Sequence, residues 1–144
     1  MQQSPAVQIR VFEGADEPQV IALWREVFRD DPPWNEPSEM IRRKLTVQPE
    51  LFLVAVVEER VIGTVLAGFD GVRGWIHHLC VSRENRRAGV GRALMRRAEI
   101  GLAAMDCPKI NLQVRATNAA VVAFYEALGY SVEARASLGK RIAR

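Results

Sequence analysis

The stretch from Val81 to Met95, V-S-R-E-N-R-R-A-G-V-G-R-A-L-M, constrains this chain more than any other. The apolar run 75–81 reads as a strand, the polar residues after it as a turn, and the residues from Val90 onward repeat at helical spacing. Strand, glycine turn and helix start, in that order, aim backbone N–H groups at a positive helix end, where an anion is stabilised. Gly89 and Gly91 lack Cβ atoms, so a ligand can approach the main chain closely. Arg86, Arg87 and Arg92 add fixed positive charge that suits phosphate. The segment predicts an anion site for a phosphorylated cofactor. The plainer alternative is a turn that the glycines merely shape, with solvated arginines. A Walker-type loop is excluded, because G-x-x-x-x-G-K-[ST] is absent. The dinucleotide fingerprint lacks its third glycine.

What stands here is R-x-x-G-x-G at Arg86–Gly91, after a strand ending L-x-V at Leu79 and Val81. That arrangement resembles the coenzyme A signature of the GNAT (GCN5-related N-acetyltransferase) superfamily. A second segment, N-A-A-V-V-A-F-Y-E-A-L-G-Y from Asn118 to Tyr130, resembles the other hallmark of that superfamily, and the gap between them suits one helix and one strand. The resemblance covers nearly the whole chain. It runs closest to the small bacterial YpeA-type acetyltransferases, through L-F-L-V-A at Leu51, P-W-N-E-P at Pro33 and S-L-G-K-R at Ser137.

The resemblance implies acetyl-CoA as cofactor and an amine as acceptor. Pyrophosphate would rest on the N–H groups from Arg87 through Ala88, Gly89, Val90 and Gly91 to Arg92, with Arg86 also in the cofactor site. Pantetheine would lie along Leu79, Cys80 and Val81, with Asn118 touching it or acting only as a helix cap. Tyr125 matches the family tyrosine that protonates the departing sulfur; a phenol of pKa near 10 keeps its proton at pH 7. The alternative for Tyr125 is a packing residue. Arg87 departs from the pattern, standing where many members have glycine.

His77 and His78 are the only histidines. Strand alternation predicts that they face opposite ways, His77 on the side of Leu79 and Val81. His77 matches a position where some members carry a proton-relaying histidine, and a neutral imidazole suits base work. A strand histidine without catalytic duty is the other reading. The loop with Asp30, Asp31, Trp34, Asn35 and Glu36 borders the acceptor site in the family, so Asp30, Asp31 and Glu36 are candidates to attract a cationic amine. The alternative is a connector with Trp34 tucked into the core.

One domain accounts for 144 residues. The expected fold class is a mixed α/β (α+β) domain over 1–144, with six to seven strands and about four helices. The first helix is capped by Asp16, and the second by Ser38 with Ile41 and Leu45 on its inner face. A hairpin runs from Leu51 to Phe69, a strand lies over 109–114, and Gly129 ends the last helix. Strands over Ser131–Arg135 and Leu138–Ile142 close the chain. The resemblance adds a sheet splayed between strands 75–81 and 109–114.

A net charge of +3 is mildly basic, not the dense patterning of a nucleic-acid binder, and much of the excess sits around the glycine turn. No run approaches the roughly 18 apolar residues of a membrane span, and Met1–Arg10 has no signal-peptide core. Cys80 and Cys107 offer neither a disulfide framework nor zinc spacing, so no metal is expected. The expectation is a cytoplasmic monomer or homodimer that binds no nucleic acid or membrane. The rival to an enzyme is a non-catalytic acyl-CoA-binding or sensor module, which would need no Tyr125.

Overall fold

Continuous β-prone runs, buried on both faces over Phe52–Val57 and Arg60–Phe69, build an antiparallel meander. The computed structural model describes residues 5–142. Five strands run in spatial order β1 (Gln8–Val11), β2 (Phe52–Val57), β3 (Arg60–Phe69), β4 (Gly74–Val81) and β5 (Ile110–Leu112). The first four are antiparallel neighbours, and β5 joins β4 in parallel. Four helices accompany them: α1 (Glu17–Val27), α2 (Pro37–Lys44), α3 (Val90–Ala104) and α4 (Ala119–Ala127). The chain forms two compact units, one ending at Leu112 and the other starting at Gln113.

In the first unit the two sheet faces are covered by different helices. Trp24, Leu23, Val20 and Ile41 pack with Phe12, Phe52, Val54 and Leu66 in one cluster, which places α1 and α2 on one face. The opposite face meets α3. A Cβ at Gly63 would come within 3.1 Å of Leu94, and one at Gly74 within 3.1 Å of Leu102. Val90, Leu94, Met95, Ala98 and Leu102 form the buried stripe of α3, at the spacing of an amphipathic helix.

Caps differ from expectation at two helices. Asp16 precedes α1 but does not cap it with its side chain. Its carboxylate instead holds Arg10 through two bonds of 2.8 and 2.9 Å and accepts the Glu13 N–H at 2.8 Å. Glu36, not Ser38, caps α2, because Pro37 occupies the first helical position and Glu36 accepts the Glu39 N–H at 3.0 Å. Leu45 is exposed, since α2 ends at Lys44.

The Arg10 hydrogen bond, first among several causes, holds the Asp16 carboxyl below its usual pKa. The stabilisation is therefore present above the unfolded value near 4 and is lost as pH falls through the lowered native pKa. Asp16→Asn should cost about 2 kcal/mol in urea unfolding at pH 7. The gap to wild type should narrow below about pH 4.

The second unit is α4 and irregular chain. Asn118 caps α4, accepting the Val121 N–H at 3.3 Å. Gly129, at φ +97, ends it in the left-handed conformation. The N–H groups of Gly129 and Tyr130 then close onto the carbonyls of Glu126 and Tyr125, the double bond pattern that often stops a helix. The two expected closing strands do not form. Residues 131–142 carry no regular structure, and Val132, Leu138 and Ile142 are exposed, Leu138 at 91%. β-prone composition makes a strand only when a neighbouring edge pairs with it, so the sheet has five strands rather than six or seven. The expected strand over 109–114 shortens to β5 for the same reason: only Ile110, Asn111 and Leu112 find partners on β4.

Candidate active site

Pairing between β4 and β5 runs from Gly74↔Ile110 to Ile76↔Leu112 and stops. The second half of β4, His77–Val81, therefore has no β5 partner, which is the opening expected between these strands. β4 leads through a single 3-10 turn, Arg83–Asn85, to the exposed residues 86–89 and then α3.

The turn has the geometry of an anion cradle. Gly89 is the residue before α3, at φ +80, and no side chain caps the helix. The first N–H groups of a helix have no partner within it. A Cβ at Gly89 would meet nothing within 4 Å, so the approach is open. Val90 and Leu94 are buried and anchor the first turn against the sheet. Arg86 Nε donates to the Val81 carbonyl at 3.1 Å, tying the turn back to the end of β4. Arg87 is left-handed at φ +67, a conformation that costs a side-chain-bearing residue roughly 1–2 kcal/mol. Glycine would avoid that cost.

The middle of β4 is irregular in a way that alternation did not predict. Thr64 pairs with Cys80 and Leu66 with His77, so two steps on β3 face three on β4. The extra residue lies at His78 and Leu79, and His78 takes φ +48. A bulge of this kind resets which residues share a face. His77 and Trp75 line a cavity with α2, and His78 packs with α1, so both histidines lie on the α1/α2 side. Cys80 belongs to the same-side cluster, with Sγ 3.3 Å from Thr64 Oγ1. The residue beyond the bulge that shares the side of His77 is thus Cys80, not Leu79 or Val81.

His78 is held from several directions. Its Nε2 lies 3.0 Å from Asp31 Oδ2, and its ring packs 4.3 Å from Phe28 and 4.9 Å from Trp24. Thr64 Oγ1 donates to the His78 carbonyl at 2.9 Å and accepts the Trp24 indole N–H at 2.8 Å. Burial lowers the His78 pKa, and Asp31 opposes the shift. His77 is exposed at its side of the cavity. Its pKa is also lowered, first by the surrounding protein and then by the charges of His78 and Lys44. Burial raises the Cys80 thiol to about 11, which makes it a packing group at neutral pH.

The connector alternative, with Trp34 in the core, does not hold for the loop at 31–36. Trp34 is 51% exposed, not tucked into the core. Asp31 is engaged by His78. Glu36 accepts from the Ser38 hydroxyl and the Glu39 N–H and lies 3.6 Å from Arg25. The Ser38 bond is the main reason its pKa falls. Both carboxylates have partners within the protein. Asn35 borders both cavities of this face, of about 450 and 360 Å3.

In the second unit Tyr125 is buried, 8% exposed, with its ring 5.1 Å from Phe124 and 5.7 Å from Tyr130. Burial pushes its pKa up to about 12, so the hydroxyl keeps its proton throughout the neutral range. Sequence reasoning missed Lys44 and Arg43, which line the larger cavity. The available signal was spacing: Lys44 lies three residues after buried Ile41 and so on the same side of α2.

Comparison with known proteins shows the family and the fold. Residues 21–130 match the model of the Acetyltransferase (GNAT) family. An acetyltransferase of Yersinia enterocolitica is 44% identical over 138 residues, 94% of this chain and 96% of the relative. One of Pectobacterium atrosepticum is 43% identical, with the same coverage of each chain. Among solved structures, Ard1 from Thermoplasma volcanium has a TM-score of 0.77 at 25% identity, covering 90% of this chain and 85% of its own. The aminoglycoside N-acetyltransferase AAC(6')-Iy, in complex with CoA, has a TM-score of 0.81 at 14% identity and covers 99% of both chains. That last likeness is one of fold.

Proposed function

The chain belongs to the acetyltransferase (GNAT) family, is an acyltransferase and uses acetyl-CoA, and from that premise we propose that it transfers the acetyl group to a primary amine by direct attack on the thioester. The observation that carries this reading is the open turn before α3, an uncapped positive helix end beside a strand edge without a β5 partner. Acetyl-CoA supplies an activated acyl group there. The N–H groups from Arg87 to Arg92 bind the pyrophosphate, and the unpartnered edge from Leu79 to Val81 receives the pantetheine. An N–H at the bulge, around Leu79 or Cys80, supports the carbonyl oxygen as negative charge develops on it.

During transfer the amine nitrogen bonds to the acetyl carbon while the carbon–sulfur bond breaks. One proton leaves the amine, for which His77 is the candidate acceptor, and one reaches the sulfur, for which Tyr125 is the candidate donor. Asn118 is a candidate pantetheine contact as well as a helix cap. The family match runs across the boundary at Leu112, which supports reading the whole chain as one catalytic domain.

The test is an acetyl-CoA-dependent thiol-release screen over a broad amine panel, followed by a pH profile on any substrate found. No release from any amine, in protein shown to bind acetyl-CoA, would overturn the reading. A base must be neutral to act, and the His77 pKa lies below 6.5. The acid limb of kcat/KM should therefore fall at a midpoint below pH 6.5 and disappear in His77→Gln. A limb that persists unchanged in that variant removes His77 from proton transfer.

A further inference from the structure

We infer that the cavity between α2 and the adjoining ends of β3 and β4 takes an acceptor that carries an anionic group, of the carboxylate type, besides its amine, with Lys44 and Arg43 as the recognising cations. This names the substrate class of the acetyl transfer proposed above and rests on that reading.

The cavity has apolar walls from Met40, Leu66, Phe69 and Trp75, with cationic groups from α2. Lys44 is half-buried. Its ammonium donates to the Ala67 carbonyl at 2.5 Å and the Val47 carbonyl at 2.9 Å. An ammonium has three N–H donors, so one remains. Among the described residues no carboxylate comes within 4.0 Å of it, and Glu50 acts on it only through its charge. Burial lowers its pKa, the mark of a charge short of compensation. Arg43 donates to the Trp34 carbonyl at 3.2 Å and lies 3.4 Å from Glu39, with further N–H groups to give.

Asp70 is the one acidic residue lining the cavity. It accepts the N–H groups of Val72 and Arg73 at 2.8 Å and the Trp75 indole at 3.2 Å. Asp31 and Glu36 are engaged as described. A polycation would meet the positive charges of Lys44 and Arg43, with Asp70 as the one acidic group among the lining residues. An apolar amino acid, or a peptide end carrying a carboxylate, would put its side chain on the walls and its anion on Lys44. Its amine would then lie toward His77, which lines the same cavity and feels the charge of Lys44.

The experiment compares amines with the same body and different charge: phenylalanine and leucine, their amides, and the polycations spermidine and kanamycin. Wild type should acetylate each carboxylate about 10- to 100-fold more efficiently than its amide, the range expected for a hydrogen bond between charged groups. Polycations should be poorer still. In Lys44→Met, checked for folding by circular dichroism, the carboxylate-to-amide ratio should fall to near one. Amides or polycations turned over as well as the carboxylates would overturn the inference and leave acetyl transfer standing. So would a ratio unchanged in folded Lys44→Met. If no amine is turned over, acetyl transfer fails, and binding decides this proposal separately. With CoA present, N-acetyl-phenylalanine should raise the melting temperature and N-acetyl-phenylalaninamide should not. Equal shifts, or none, would overturn it.

Discussion

Tyr125→Phe should fold and bind acetyl-CoA nearly as wild type does, yet turn over roughly 10²–10⁴-fold more slowly, the usual range for removal of a general acid. The substitution keeps the ring, and with it the contacts to Phe124 and Tyr130. It removes only the proton donor. The wild-type hydroxyl, with its pKa raised to about 12 by burial, holds its proton well above neutral pH. Ionisation of Tyr125 should therefore impose no alkaline limb on the rate below about pH 10. The deficit should also shrink when a more acidic acyl thiol replaces coenzyme A, because such a leaving group needs less protonation. Loss of fold or of cofactor binding would instead assign Tyr125 to packing. An unchanged turnover number, in folded variant with chemistry rate-limiting, would remove it from the mechanism.

Gly89→Asp should abolish the thermal stabilisation that acetyl-CoA confers. A ligand that binds only the folded state at 100 times its Kd contributes about 2.7 kcal/mol, and that is the amount at stake. The variant should remain folded, since a Cβ at position 89 meets nothing within 4 Å. The left-handed φ of +80 costs an aspartate about 1–2 kcal/mol at most, and a carboxylate before a helix recovers part of that. What changes is the sign of the charge at the helix end where the pyrophosphate is placed. Gly89→Ala, with the same strain and no charge, should keep most of the shift. Wild-type acetyl-CoA affinity in Gly89→Asp would mean that the cofactor lies elsewhere.

The sequence by itself determined the elements whose cause is local. A buried stripe at helical spacing from Val90 to Leu102, a glycine before it and an apolar strand ahead are decided by side-chain periodicity and backbone sterics. The same holds for Asn118 at one end of α4 and Gly129 at the other. These features carried the family and the turn at which the anion site is proposed. Only the tertiary structure decided what depends on partners distant in the chain. The bulge at His78 exists because β3 offers two positions where β4 has three, and it places both histidines on one side of the sheet against the simple alternation rule. Asp31 and Glu36 looked like free carboxylates in the sequence. Folding engages the first with a histidine 47 residues away and the second with its own helix cap. The residues 131–142 have strand-like composition and no strand, because pairing needs a neighbouring edge as well as propensity. Lys44 was one more charge on a polar helix until the carbonyl of Ala67, 23 residues on, received its ammonium inside a cavity. Local sterics act between neighbours in the chain. Charge compensation and strand pairing act between neighbours in space, which only the folded chain defines.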